Sequence, residues 1–150
     1  MKRFRFPLRP VAVVRAHKEL RAKEVFAAAI HLYVQAEERL AVTRARIVQL
    51  EDTLFAGRGG RFMATEAAGL YRVYRAERQA ELKVERDVIE ARDLMARRRS
   101  EYLDAHRQLE VVNRLEEKAR THHRAESLRH EQAQIDEFAG FAASKRAAIS

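Results

Sequence analysis

A seven-residue repeat of apolar side chains constrains the fold of this 150-residue chain more than any other feature of its sequence. Between Ala22 and Leu54 two such series run side by side, offset by four and then three residues. This spacing is typical of the buried seam of a left-handed coiled coil. One series is mostly small and the other is large, which favours close approach of one partner helix. The members are Ala22, Ala29, Ala36, Thr43 and Leu50, and Phe26, Tyr33, Leu40, Ile47 and Leu54.

The same repeat resumes after a glycine-rich stretch and continues to about Val112. It is interrupted at Glu77, Glu81 and Arg98, and polar residues of this kind weaken a seam but can fix its register. Beyond Val112 the apolar residues change phase. The members before that change are Met63, Ala67, Leu70, Tyr74, Val84, Val88, Ala91, Met95, Tyr102, Ala105, Leu109 and Val112.

Helix-breaking residues are rare and are placed at the ends of these repeats. Both prolines precede residue 11, where the first turn of a helix tolerates them. The sequence therefore predicts an all-α fold in a single domain, a long antiparallel two-helix coiled-coil hairpin whose second helix is the longer. The expected elements are helix 1 at about 11–56, a turn at 57–60, helix 2 at about 61–139 ending at a Gly140 cap, and a short C-terminal tail.

The stretch "FAGRGGRF", residues 55–62, holds three of the five glycines. It lacks the Gly-Lys-Ser/Thr ending and the preceding strand of a phosphate-binding loop. Arginine-glycine segments that bind RNA normally occur as repeats in disordered tracts, and this is a single copy. A chain reversal is the interpretation that the flanking repeats favour, with Arg58 and Arg61 available to a partner at the tip.

A reversal near residue 58 has a consequence for the end of the chain. It would place Val11 opposite about Ala105 or His106, so that the C-terminal third from Arg107 onward has no partner within the chain. Because isolated helices are marginally stable in water, we expect this third to be frayed, self-associated or stabilised by another protein.

The charge of the chain is strongly positive, with a net charge of +8, and much of the excess lies between Lys2 and Lys23. Such a balance favours anionic partners. Yet no recognition helix or aromatic stacking platform accompanies "ARRRSE" at 96–101, so we expect no nucleic acid. The absence of cysteine fits a reducing compartment, and no apolar stretch is long enough for a membrane span, which predicts a cytoplasmic protein.

The sequence contains no recognisable catalytic constellation, and the expectation is a protein that is not an enzyme and has no catalytic residues, cofactor, metal or small-molecule ligand. The one metal-like group is His122, Glu126 and His130, which share a helix face. A single open helix provides no closed coordination shell, so a solvated charged face is the favoured interpretation. The carboxylates lie among arginines at helical spacing, where ion pairing accounts for them.

Apolar residues outside the seam point to partner binding. Val48 lies on the outer side of helix 1, and in the expected register it comes near Tyr71 and Val73 of helix 2, close to the turn. Exposed apolar patches on soluble proteins tend to mark interfaces, although these residues could also add a contact between the two helices.

Several segments, taken in order, resemble the FliJ family of flagellar type III export proteins. They are "FRFPLRPV" before the first helix, "AKEVFAAA" at 22–29, "QAEERL" at 35–40, the central break, and "EQAQIDEFAGFAASKR" at 131–146. The resemblance implies a hairpin similar to the central stalk of rotary ATPases. The implied partners are the hexameric export ATPase FliI, the export gate FlhA and export chaperones, and the membrane is reached only through them.

The resemblance also assigns residues, and it implies a coupling function between ATPase and gate. The ATPase contact is expected at Gln132, Ile135, Asp136, Glu137 and Phe138, and the gate contact at Val48, Tyr71, Val73 and Tyr74. Two alternatives remain, the stalk protein of a virulence injectisome and a basic coiled-coil scaffold or nucleic-acid-binding protein. The residues chosen as the coiled-coil seam are Phe26, Ala29, Tyr33, Ala36, Leu40, Ile47, Leu50, Leu54, Met63, Leu70, Tyr74, Val84, Val88 and Met95.

Overall fold

The fold is an all-α two-helix hairpin, as the heptad repeats predict. The computed structural model describes residues 2–57, 60 and 63–150, and among these residues there is no strand. Helix α1 (Arg9–Gly57) has 49 residues and helix α2 (Ala64–Ile149) has 86. The helices are antiparallel, because positions later in α1 contact positions earlier in α2: Phe26 stacks on Tyr102, and Glu51 meets Tyr74.

Helix α1 starts and ends where its sequence allows. It begins at Arg9, with Pro10 inside the first turn, and the Leu8 carbonyl accepts a hydrogen bond from the Ala12 amide at 3.0 Å. Proline is compatible with this turn because its missing N–H would have no partner there. Helix α1 ends at Gly57, and Gly60 then adopts a φ of 86° and donates its amide to the Gly57 carbonyl at 3.3 Å.

The turn predicted at 57–60 is thus described only at its two ends. Residues 58, 59, 61 and 62 lie outside the described residues, and so does the proposal that Arg58 and Arg61 contact a partner. The positive φ of Gly60 belongs to the left-handed region that glycine adopts without steric cost.

Helix α2 begins at Ala64, later than the predicted residue 61. Met63 precedes the helix, its carbonyl accepts the first helical hydrogen bond from the Ala67 amide, and 73% of its surface is exposed. Met63 therefore does not lie in the interhelical seam to which the heptad pattern assigned it. The later start follows from local sequence, since helix-favouring alanines begin at Ala64 and Glu66 places a negative charge in the first turn.

The far end of α2 also differs from expectation. The helix continues through Gly140 to Ile149, instead of ending near 139 with a glycine cap and a tail. Gly140 does not have the positive φ of such a cap. Glycine inside a helix costs about 1 kcal/mol relative to alanine, and the alanine-rich residues on its C-terminal side favour the helix enough to continue it.

The helices divide into two compact units, of which one comprises Leu20–Asp104. In this unit the less exposed residues of α1 recur at alternating steps of three and four, and the most buried are Ala29, Ala36, Thr43 and Ile47. The Thr43 hydroxyl donates a hydrogen bond to the Arg39 carbonyl at 2.9 Å, so its burial leaves no unpaired polar group. Apart from Met63, every residue chosen for the seam is buried or half-buried.

One polar interruption of the α2 repeat, Glu81, faces α1 in this unit. Glu81 occupies a seam position, and its carboxylate receives Arg44 from α1 at 3.5 Å and Arg78 from its own helix at 3.1 Å. Arg44 reaches Glu85 as well, at 3.1 Å. Arg44 and Arg78 lie at the edge of the seam. Their positive charges balance that of the Glu81 carboxylate, which can therefore occupy a half-buried position.

The second unit joins the residues before Leu20 to Ala105–Ser150. Its buried centre is Val112, which is 2% exposed. Polar contacts between the two segments surround it: Glu19 meets His106 at 3.3 Å, and Arg15 donates to the Gln108 carbonyl at 2.9 Å. Ala12, Arg15 and Glu19 continue the three–four spacing of half-buried positions toward the start of α1.

The pairing in this unit corrects the predicted register. A reversal at residue 58 would place Arg9 opposite residue 107 or 108, whereas Arg9 bonds to Glu116 at 2.8 Å and Phe4 packs on His123 with ring centroids 5.5 Å apart. The difference arises because α2 begins only at Ala64, which moves the centre of the reversal along the chain. Residues 107–123 therefore have partners within the chain, and the unpaired stretch is shorter than expected.

We expect chemical cross-linking to report this register. The chain has no native cysteine, so in the variant Arg9→Cys/Glu116→Cys a short bismaleimide should join the two thiols in high yield. The matched control Arg9→Cys/Gln108→Cys, which tests the register of a reversal at residue 58, should cross-link poorly. Tryptic mapping by mass spectrometry would quantify both products, and preferential joining of positions 9 and 108 would contradict the structure.

Stability should depend on the seam and little on the outer faces. Ile47 is 3% exposed and its neighbour Val48 is 54% exposed. We expect Ile47→Ala to lower the free energy of unfolding by about 2 kcal/mol or more, because it leaves a cavity between the helices. Val48→Ala should change it by less than about 0.5 kcal/mol. Urea unfolding followed by circular dichroism would measure both, and equal effects would contradict the burial pattern.

Candidate partner-binding surfaces

A stripe of side chains near the end of α2 is mostly exposed, with only Glu131 and Ala142 half-buried. It is defined by residues at steps of three and four, and we call it the C-terminal stripe. The apolar members are among the most exposed large side chains described, with Phe138 at 75% and Ile135 at 61%. The members are Leu128, Glu131, Ile135, Phe138, Ala142, Lys145 and Ile149.

The C-terminal stripe has the surface relief of an empty coiled-coil seam. A shallow concavity is lined by Glu131, Gln134, Ile135 and Phe138, with Ala139 beside them. Residues i, i+3, i+4 and i+7 are the four that form the hole into which a side chain of a partner helix inserts. The four lining residues thus have the spacing of one such hole.

The predicted ATPase-contact residues all lie on or beside this stripe. Ile135 and Phe138 are members of it, and Gln132, Asp136 and Glu137 border it and are exposed. The Gln132 amide donates a hydrogen bond to an Asp136 carboxylate oxygen at 3.2 Å, which joins the two border residues across one helical turn. The arrangement combines apolar contact area with a flanking acidic edge.

The predicted gate-contact residues do not form one cluster. Tyr71 and Val73 are about half exposed, but Glu51 contacts Tyr74 and Arg78, which places Val48 beside a later turn of α2 than the one carrying Tyr71 and Val73. The expected proximity of Val48 to these two residues depended on the register predicted for a reversal at residue 58. Near the start of α2, Tyr71 and Val73 are both exposed, but two residues apart on a helix they lie on different faces.

Tyr74, the fourth of these residues, faces α1 and is half-buried. Its hydroxyl donates to Glu51 at 3.1 Å and accepts a hydrogen bond from Arg78 at 3.1 Å. The bond to the Tyr74 hydroxyl, with a further one to Glu81, raises the pKa of Arg78 above its usual value. Tyr74 is held in the interhelical contact and is less accessible to a partner than Tyr71.

The structure shows a basic cluster around the start of the chain that the sequence patterns did not predict. Arg9 and Arg120 both donate to the same oxygen of Glu116, at 2.8 and 3.2 Å. Phe4 contacts the Arg120 guanidinium, which lies 5.1 Å from its ring centroid, and also the His123 ring. The alternation of arginine and phenylalanine in "RFRF" is the signal that could have indicated a segment packed through its aromatic rings.

The predicted metal-like group of His122, Glu126 and His130 lies on the exposed surface of α2. His122 and Glu126 approach to 3.6 Å, and among the residues that the structure describes no group of three or more possible ligands could hold an ion. Within the same residues, neither helix contains a stretch apolar enough to cross a lipid bilayer.

Comparisons with known proteins agree with this architecture. The family model of the flagellar FliJ protein matches residues 4–148. Among solved structures, CT670 from Chlamydia trachomatis, described as a YscO homologue, superposes with a TM-score of 0.68 at 15% sequence identity, and the match covers 95% of this chain and 96% of CT670. At that identity the likeness shows a shared fold. No curated protein sequence matches the chain significantly.

Proposed function

Since the chain belongs to the flagellar FliJ protein family, we propose that it is a non-catalytic, stalk-like component of a type III protein export system. In this proposal it couples the hexameric export ATPase FliI to the export gate FlhA and handles export chaperones. It works at the cytoplasmic face of the export apparatus and reaches the membrane only through its partners.

The observation that carries the proposal is the C-terminal stripe. Soluble proteins rarely expose a row of large apolar side chains unless another protein covers it. Here Ile135 and Phe138 are exposed on a helix whose concavity fits a partner helix, and they coincide with the residues that the family resemblance assigns to the ATPase contact. Asp136 and Glu137 add a negative edge that suits basic residues on such a partner.

The buried seam supports the coupling part of the proposal. A force or a torque passes between partners only through an element that resists bending, and interdigitated side chains between two helices provide that resistance. Ala29, Ala36 and Ile47 are almost completely buried, which lets the helix backbones approach closely. No step of this mechanism requires nucleotide chemistry in the chain itself.

The injectisome alternative has the same architecture and mechanism. The shared fold with CT670 fits it as well as the flagellar system, and the genes adjacent to the coding sequence would distinguish the two.

A basic scaffold or nucleic-acid-binding protein is the alternative from another class. It is less favoured because several arginines are engaged with carboxylates of the same surface, among them Arg44, Arg78 and Arg120. A gel shift with steep salt dependence would support it.

The ATPase contact can be tested with two exposed phenylalanines. We expect Phe138→Ala to weaken binding of the purified export ATPase about tenfold or more, because a large apolar anchor is lost from the interface. Phe55 is equally exposed, at 77%, and lies outside the proposed contact, so Phe55→Ala serves as the matched control. Biolayer interferometry with immobilised ATPase would measure both affinities, and equal affinity of Phe138→Ala and wild type would contradict the assignment.

The gate contact is proposed at Tyr71 and Val73, with Val48 and Tyr74 as secondary members. We expect Tyr71→Ala/Val73→Ala to reduce binding to the cytoplasmic domain of the gate protein severalfold without changing ATPase binding. Val42, which is similarly exposed at 51% on the other helix, provides the control Val42→Ala. Titration calorimetry would decide, and a loss of ATPase binding in the Tyr71/Val73 variant would argue against two separate contacts.

A further inference from the structure

We propose that the C-terminal stripe binds the same stripe of a second copy of this chain, with the two helices antiparallel and Phe138 at the centre. The pairing itself is independent of the proposed function and rests on the pattern of the stripe.

The two charged residues of the stripe lie symmetrically about Phe138. One heptad position carries Glu131, Phe138 and Lys145, so the central aromatic has an acidic residue seven positions before it and a basic residue seven positions after it. The other position carries an apolar or small residue throughout: Leu128, Ile135, Ala142 and Ile149. Reversing the direction of this helix about Phe138 places Phe138 on Phe138, Glu131 on Lys145 and Leu128 on Ala148, beside Ile149.

Charge favours the antiparallel direction over the parallel one. From Glu126 to Glu137 there are four acidic residues and one arginine, whereas from Phe138 to Ile149 there are two basic residues and no acidic one. An antiparallel second copy sets each acidic half against a basic half, while a parallel copy sets like charges together. The segment thereby differs from the rest of the chain, whose net charge is strongly positive, and it can approach its own copy without the repulsion that this excess would cause.

The relief of the stripe suits such a partner. The concavity lined by Glu131, Gln134, Ile135 and Phe138 is a hole for a knob from an opposing helix. A two-fold axis perpendicular to the helices repeats this hole on the second copy, so each copy supplies both knob and hole. The hairpin already contains an aromatic pair across antiparallel helices, with Phe26 and Tyr102 stacked at 6.1 Å and an interplanar angle of 13°.

The pairing has a regulatory consequence that rests on the proposed function. Ile135 and Phe138 would be covered in the dimer, and these are the residues proposed to contact the export ATPase. Self-association and ATPase binding would then exclude each other, and the dimer would be a form of the protein that has not yet engaged its partner.

Charge reversal tests the pairing without disturbing the fold, because Lys145 is exposed and Glu131 is only half-buried on the outside of α2. We expect sedimentation equilibrium of the full chain to show a monomer–dimer equilibrium at micromolar concentrations. Glu131→Lys and Lys145→Glu should each weaken the dimer about three- to thirtyfold, since two symmetric ion pairs are lost and like charges meet. The double variant Glu131→Lys/Lys145→Glu should regain the wild-type dissociation constant, because both pairs are restored in reverse.

Two charge variants elsewhere on α2 serve as controls. Glu90→Lys and Lys83→Glu make the same charge changes and should leave the equilibrium unchanged. Cross-linking then identifies the direction of the helices. In a mixture of Leu128→Cys and Ile149→Cys chains, a short bismaleimide should join unlike chains, whereas Ile149→Cys alone should not cross-link to itself.

Three outcomes would overturn the pairing: a chain that stays monomeric up to about 100 µM, single charge variants that dimerise as tightly as wild type, or self-cross-linking of Ile149→Cys. A monomeric wild-type chain that still binds the ATPase through Phe138 would overturn the pairing and leave the proposed function intact. A dimer with the expected charge response whose monomeric form does not bind the ATPase would instead count against the proposed function.

Discussion

The packing of α1 against α2 along one narrow seam is the interaction on which every other feature depends. Isolated helices are marginally stable in water, and each helix here is stabilised by the partner that covers its seam. The most buried seam residues are small or compact, as at Ala29, Ala36 and Val112, so the backbones come close and many weak contacts accumulate. The remaining surface carries charged side chains together with exposed apolar residues such as Val48, Tyr71 and Phe138.

The seam also explains how a chain with so many charges keeps several of them at interhelical positions. Glu81 and Glu116 each sit at a half-buried position and each receive two arginines, one from each helical segment in contact. In both cases the long arginine side chain covers the edge of the seam with its methylene groups while its guanidinium reaches the carboxylate. The contacts add little stability individually, but they penalise a sliding of one helix along the other, because a shifted register would leave a carboxylate facing apolar side chains.

Much of the fold could be predicted from the sequence, because heptad spacing reports directly which residues face a partner helix. The all-α class, the hairpin and the greater length of α2 all follow from it. The register between the helices could not be predicted in this way, because the length of the reversal depends on the backbone geometry at the glycines and on where α2 begins. Met63 fits the heptad repeat, so the sequence does not show that the helix begins only at Ala64. The end of α2 was misjudged because glycine favours a cap only when the residues beyond it do not favour a helix. Of the candidate surfaces, the C-terminal stripe was visible as a change of phase beyond Val112, whereas the pairing of Phe4 with Arg120 and His123 required the correct register.

Gly140 lies within α2 between the two halves of the C-terminal stripe, and no atom stands within 4 Å of where a β-carbon would be. Its presence therefore answers no steric need, and its effect is to lower the intrinsic helicity of the last turns by about 1 kcal/mol relative to alanine. Those turns are stabilised by hydrogen bonds within the helix. A partner that binds them must therefore also offset the free energy of ordering them. A partner contact at these turns would be weakened by that amount, which favours its release over permanent attachment.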